Sequence, residues 1–154
     1  MTLDTEVSSL RQVPLFREVE PARLKLLAFT SERVHFEPGQ RFFARGDVAD
    51  AAYVILKGSA EVSIDGPAGP IRLALLGQDA LVGEMGILAD QPRSATVTAE
   101  SAVTALRIDR GVFLELLAQF PQISIALMRV LALRLEQTNQ ALPRAGADLT
   151  RSDR

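Results

Sequence analysis

LVGEMGILADQPRSATVT, residues 81–98, is the stretch from which the rest of the chain can be read. It opens with a glycine–acid pair, Gly83-Glu84, and continues through a short apolar run, Met85-Gly86-Ile87-Leu88. It ends in Pro92-Arg93-Ser94-Ala95 and the β-branched alternation Thr96-Val97-Thr98. Gly83 has no Cβ, so backbone can approach a ligand closely there. Glu84 begins one or two predicted helical turns and can accept hydrogen bonds from sugar hydroxyls. The first N–H groups of those turns have no partner within the helix and suit a phosphate. Arg93 adds a planar fork of donors for phosphate oxygens, and Ser94 adds a hydroxyl and an amide beside it. Together they suit a small anionic ligand carrying a hydroxyl next to its phosphate. Each residue also has an ordinary structural use: the helix dipole alone favours a glutamate at a helix start, and an arginine after proline commonly sits in a solvated turn.

The spacing carries more than the residues do singly. GEMGILADQPRSAT, residues 83–96, closely resembles the phosphate-binding cassette of the cyclic nucleotide-binding domain family. That family includes the catabolite activator protein, the regulatory subunit of protein kinase A and the cyclic nucleotide-gated channels. Its pattern runs Gly-Glu, three or four apolar or small residues, a short variable stretch, then Pro-Arg, Ser/Thr/Ala and Ala. Gly83, Glu84, Pro92, Arg93, Ser94 and Ala95 meet it without a gap. Val82 stands where the family usually has an aromatic residue, and Gly86 where alanine is common, a change expected to be mild.

Composition excludes several other classes. The 154 residues fit one domain with terminal segments, and 47% hydrophobic content is ample for a core, with aromatics only 5%. A formal net charge of -2 argues against a protein that coats nucleic acid, so no direct nucleic-acid binding is expected. With no cysteine and one histidine, His35, thiol catalysis, thiolate metal sites and imidazole clusters are excluded. No cofactor is expected. A jelly-roll metalloenzyme would need several histidines, and Glu84 is not paired with Asp79 or Asp90 at a defined acid–base spacing, so the chain does not read as an enzyme. The start is not a secretory signal and no run approaches 18 apolar residues, which leads to the expectation of a cytoplasmic protein.

Taken in order, residues 1–12 read as a polar terminal segment. Residues 13–142 read as the domain, with a strand-rich part at about 31–109, helices at about 110–142, and a disordered tail over 143–154. Pro21 suits a first helical position, and the family resemblance, which implies an N-terminal helical bundle packed on a barrel, makes Phe16, Leu24, Leu27 and Phe29 core candidates. From Arg33 the period changes to two. Short apolar runs alternate with Glu37-Pro38-Gly39, Arg45-Gly46-Asp47, Lys57-Gly58 and Asp65-Gly66-Pro67-Ala68-Gly69-Pro70, the punctuation of strands and turns. The fold class is therefore mainly β with flanking helices: a double-sheet jelly-roll β-barrel with N-terminal and C-terminal helices. Asp109 is a candidate N-cap. A long helix from about Pro121 to Leu142 carries Ile123, Leu127, Val130, Leu131, Leu135, Thr138 and Leu142 on one stripe. That stripe packs on the strands or forms a homodimer seam.

The resemblance implies a 3′,5′-cyclic nucleotide as ligand, cyclic AMP favoured over cyclic GMP. Glu84 and the Gly83 backbone would hold the ribose 2′-hydroxyl. Arg93 would pair with the cyclic phosphate, helped by Ser94 and by backbone N–H groups near Met85, Gly86 and Ala95. Thr138 and Asn139, in RLEQTN (residues 134–139), take the positions of an adenine-contacting pair. The long helix would reposition on the ligand and pass the signal to an effector protein. The chain stops twelve residues past Leu142, short of the roughly 50–70 residues that a helix-turn-helix needs, so a stand-alone sensor is expected. The alternatives are a degenerate domain acting as an interaction or dimerisation module, and the sensor half of a transcription regulator whose DNA-binding part is missing.

Overall fold

A computed structural model describes the backbone of residues 3–141 and the side chains of residues 3–136. Helix α1 (Leu3–Gln12), a 3-10 turn (Pro14–Phe16) and helix α2 (Pro21–Thr30) lead into eight strands: β1 (Glu32–Phe36), β2 (Arg41–Phe43), β3 (Ala51–Lys57), β4 (Ala60–Gly66), β5 (Gly69–Leu76), β6 (Leu81–Val82), β7 (Thr96–Ala99) and β8 (Val103–Asp109). Helix α3 (Glu84–Ala89) separates β6 from β7, and α4 (Arg110–Gln119) and α5 (Pro121–Ala141) follow β8. The strands form two four-stranded sheets, ordered β1-β8-β3-β6 and β2-β7-β4-β5, with every ladder antiparallel. This is the expected double-sheet jelly roll, as two facing sheets rather than a closed barrel.

Strand β3 shows why the sequence folds this way. Residues 51–56, AAYVIL, are all buried because the strand is covered on both faces. Ala51, Tyr53 and Ile55 join the core between the sheets with Phe42, Val82, Val97, Val103 and Ala105. Ala52, Val54 and Leu56 point the other way, into a second core with Leu10, Phe16, Leu24, Leu27, Phe113, Ile123 and Leu127 from the helices. A period of two thus divides one apolar run between two cores.

The ends of elements follow local chemistry. Pro21 opens α2. Asp109 caps α4, its Oδ2 accepting from the Gly111 N–H at 3.1 Å. Pro67-Ala68 turns β4 into β5. In that hairpin Val62 pairs with Ala74 but Ser63 pairs with Arg72, which leaves Leu73 as an extra residue in a bulge.

Three expectations change. Phe29 is 76% exposed, because Leu24, Leu27 and Ala28 form the inward face of α2. Helix α1 is more than a polar segment: Leu10 is fully buried, and Leu3 and Val7 pack against the helical core. The stripe on α5 divides: Ile123 and Leu127 are buried in this chain, whereas Leu135 is exposed alongside Ile125, Met128 and Leu133. Leu142 and the expected disordered tail fall outside the described residues.

Truncating the buried Phe16 to alanine is expected to cost about 3–5 kcal/mol of stability. Phe29→Ala should stay within about 0.5 kcal/mol. Urea unfolding of both variants measures the contrast directly.

Candidate functional site

The cassette is fixed before any ligand is considered. Gly83 adopts φ +85° and Asp90 φ +51°, so two left-handed residues bracket the six-residue helix α3. The Arg93 N–H donates to the Asp47 carbonyl at 2.8 Å, and the Gly46 N–H donates to the Arg93 carbonyl at 2.8 Å. These two bonds tie Pro92-Arg93 to the loop before β3. The loop is closed in turn by the Ala44 N–H donating to Asp47 Oδ2 at 2.9 Å. At the far end of α3, Arg110 of α4 donates to Asp90 Oδ1 at 2.7 Å.

Arg93 is 4% exposed. Its Nη1 donates to the Gly83 carbonyl and its Nη2 to the Ala51 carbonyl, each at 2.5 Å, and its guanidinium carbon lies 3.9 Å from the centre of the Phe43 ring. The nearest carboxylate is Asp50, with Oδ1 3.8 Å from Nη2. Burial lowers the Arg93 pKa, against the opposing pull of Tyr53, Asp50, Asp47 and Glu84. Its Nε is buried with no hydrogen-bond partner. Gly83 makes this packing possible: a Cβ there would lie 2.7 Å from Arg93 Nη1 and 3.1 Å from the Phe43 ring.

Glu84 is 2% exposed, and its Oε1 accepts a hydrogen bond from Nη1 of Arg134 on α5. Burying a carboxylate is costly without a partner, and Arg134 supplies one from the C-terminal helix. The sequence reading passed over Arg134. The available signal was its place one helical turn before Thr138.

Glu84 and Arg93 line one cavity of about 470 Å³. Gly83, Met85, Gly86, Ser94, Ala95 and Arg134 line it too, so seven of the nine expected site residues converge there. Its apolar wall includes Phe43, Val62, Leu73, Leu76 and Val97, which the sequence reading had not placed at the site. Met85 and Ser94 are exposed and Gly86 is half-buried. Thr138 and Asn139 lie on the backbone of α5, and their side chains fall outside the described residues. Gly86 is less interchangeable with alanine than expected: a Cβ there would meet the Ala49 Cβ at 2.7 Å and the Gln91 carbonyl oxygen at 3.2 Å, because α3 packs directly on the loop before β3.

Among the described residues, no group of three or more His, Asp or Glu side chains is placed to hold a metal ion. No single described helix is long and apolar enough to cross a membrane. His35 is a strand residue whose Nδ1 lies 3.0 Å from the Thr104 hydroxyl.

The pattern of the cyclic nucleotide-binding domain matches residues 33–120, more than half of the chain. The chain belongs to the cyclic nucleotide-binding domain family. It is 33% identical over 145 residues to the CRP-like cAMP-activated global transcriptional regulator of Mycobacterium tuberculosis, covering 94% of this chain and 63% of that protein. It is 30% identical over 108 residues to the cAMP-dependent protein kinase regulatory subunit of Aspergillus niger, covering 70% of this chain and 26% of that one. The crystal structure of the Thermus thermophilus catabolite activator protein superposes with a TM-score of 0.78 at 29% identity, over 86% of this chain and 63% of that one. The chain thus spans less than two thirds of the length of these relatives.

Two glycines with positive φ separate local strain from packing. A Cβ on Gly39 (φ +88°) would meet nothing within 4 Å, so Gly39→Ala should cost about 1–2 kcal/mol of backbone strain alone. Gly83→Ala adds the collision with Arg93 and Phe43 and should cost at least about 1 kcal/mol more. Chemical unfolding of nucleotide-free protein reads both.

Proposed function

We propose that this chain is a regulatory sensor of a 3′,5′-cyclic nucleotide, cyclic AMP favoured over cyclic GMP, that acts through an effector protein rather than by catalysis. The observation that carries the reading is one cavity of about 470 Å³ lined by a buried carboxylate, Glu84, and a buried guanidinium, Arg93, whose Nε has no protein partner. An unpaired buried donor costs about 1–3 kcal/mol until it is matched, and a phosphate oxygen is a strong match. Glu84 takes the ribose 2′-hydroxyl, with the Gly83 backbone beside it. Ser94 and the amides near Met85, Gly86 and Ala95 complete the phosphate site. The base lies under α5 towards Thr138 and Asn139.

The ion pair between Glu84 and Arg134 gives the ligand a way to act on the rest of the molecule. The carboxylate that receives the ribose also accepts a hydrogen bond from Arg134 of α5. Occupying it changes the contacts of that helix, which is the differential interaction a conformational switch requires. A homodimer seam belongs on the exposed α5 face of Ile125, Met128 and Leu135, spaced by three and seven residues. Cytoplasmic placement goes with this reading.

Calorimetry on protein stripped of nucleotide tests it. Cyclic AMP is expected to bind at one per chain, more tightly than cyclic GMP. Arg93→Ala would also strip the Gly83 and Ala51 carbonyls of their donor, so Arg93→Lys is the better probe. It keeps a cation but loses the fork, and should weaken binding by about 2 kcal/mol or more. Glu84→Gln should lower affinity for cyclic AMP about tenfold and abolish its advantage over the 2′-deoxy analogue. Silence towards both nucleotides from folded, ligand-free protein would assign the domain to partner docking instead.

A further inference from the structure

A groove of about 240 Å³ separates α2 from α4. One wall comes from residues 23–30 and the other from residues 112–119, each lined by side chains at i, i+3, i+4 and i+7. Each wall is therefore one helix face, two turns long. Buried Leu27 and Leu116 line the groove between them. Leu26, also in the wall, is 59% exposed, and Phe29, three residues further along α2, is 76% exposed. A single exposed apolar side chain is ordinary, but here a leucine and an aromatic adjoin a concave apolar surface. The charge beside them is one-sided. Helix α2, PARLKLLAFT, carries Arg23 and Lys25 and no acid. Among the described residues, neither cation lies within ion-pair distance of a carboxylate. The Arg23 guanidinium rests over the Phe120 ring instead, its carbon 5.2 Å from the ring centre. On the α4 wall, Glu115 Oε1 accepts a hydrogen bond from the Gln119 amide at 3.1 Å.

We propose that this groove docks an amphipathic helix of a partner protein, with an acidic flank towards Arg23 and Lys25 and a neutral or basic flank towards Glu115. The inference goes beyond the nucleotide-sensor reading and holds whether or not a nucleotide binds. A helix laid in a groove is read through apolar anchors at i, i+3, i+4 and i+7, the spacing that both walls present. Leu26 and Phe29 supply exposed apolar area at the lip, and an aromatic anchor of this kind carries much of the energy of an interface. The two cations have no carboxylate to give up, so an acidic flank meets them without breaking an ion pair of the chain. Opposite charge at the rim then selects the partner and fixes its orientation. A second copy meeting this face through its own α2 would set cation against cation. An anionic lipid surface would meet the Glu115 carboxylate and leave the concave floor unfilled.

The test titrates the full isotope-labelled chain with three stapled helical peptides that share leucines at i, i+3, i+4 and i+7. One carries glutamates along one flank, one lysines and one glutamines. The glutamate peptide is expected to bind most tightly, with amide shifts concentrated in residues 22–30 and 112–119. Phe29→Ala, which leaves the fold unstrained, should weaken it about tenfold. Arg23→Glu combined with Lys25→Glu should turn the preference towards the lysine peptide, and cyclic AMP binding should not change. Thermal unfolding checks that each variant is folded, and Phe29→Ala alone suffices if the double variant is not. Vesicles of equal parts phosphatidylcholine and phosphatidylglycerol form a separate arm. No saturable binding of the glutamate peptide, a parent preference for the lysine peptide, undiminished binding by Phe29→Ala, or shifts mapped elsewhere would overturn the proposal. Vesicle binding without peptide binding would overturn it in favour of a membrane contact. Each of these outcomes leaves the nucleotide-sensor reading as it stands.

Discussion

The buried guanidinium of Arg93 is the constraint on which the site depends. Arginine cannot shed its proton to escape burial as lysine can, so the surrounding chain must accommodate a permanent charge. It does so with two carbonyls, from Gly83 and Ala51, and the face of Phe43. Each element imposes a demand. Gly83 must be left-handed and lack a Cβ, β3 must present the Ala51 carbonyl at its first residue, and β2 must deliver Phe43. The loop before β3 must reach the cassette to exchange backbone bonds with Arg93. The cassette, two strands and one loop are thus a single packing problem.

The C-terminal helix meets this assembly on different terms. Its first half is held by hydrophobic burial at Ile123 and Leu127, and further along Arg134 reaches the cassette through Glu84. Hydrophobic contact is non-directional and tolerates small shifts. A charged hydrogen bond is short and directional. A helix held in both ways can stay on the protein while its polar contact responds to the cavity, which a helix held by apolar packing alone would do less selectively.

Much of the fold was legible in the sequence because local chemistry and global packing agree. Alternating runs became strands, glycines and prolines marked their ends, and Asp109 capped the helix it precedes. The readings that changed depended on facing information. Phe29 and Leu27 are two residues apart on one helix, and only the position of the sheet decides which is inside. The α5 stripe carried more apolar residues than one face can bury, so composition could not say which would meet the strands. At the site, the cassette residues came together as their spacing implied, since they are close in the chain. Phe43, the Ala51 carbonyl and Arg134 are tens of residues from the cassette, and only the folded sheets and helix bring them near.

The bulge at Leu73 bears on how the protein behaves when concentrated. Strand β5 is an edge strand with Ile71, Leu73 and Leu75 all exposed, and a long, flat apolar edge is a template for pairing with another chain. The extra residue interrupts the regular spacing of that edge as it turns Leu73 towards the cavity of about 470 Å³, while the Arg72–Glu61 ion pair adds charge beside it. The irregularity that shapes the cavity wall is therefore also a guard against edge-to-edge aggregation.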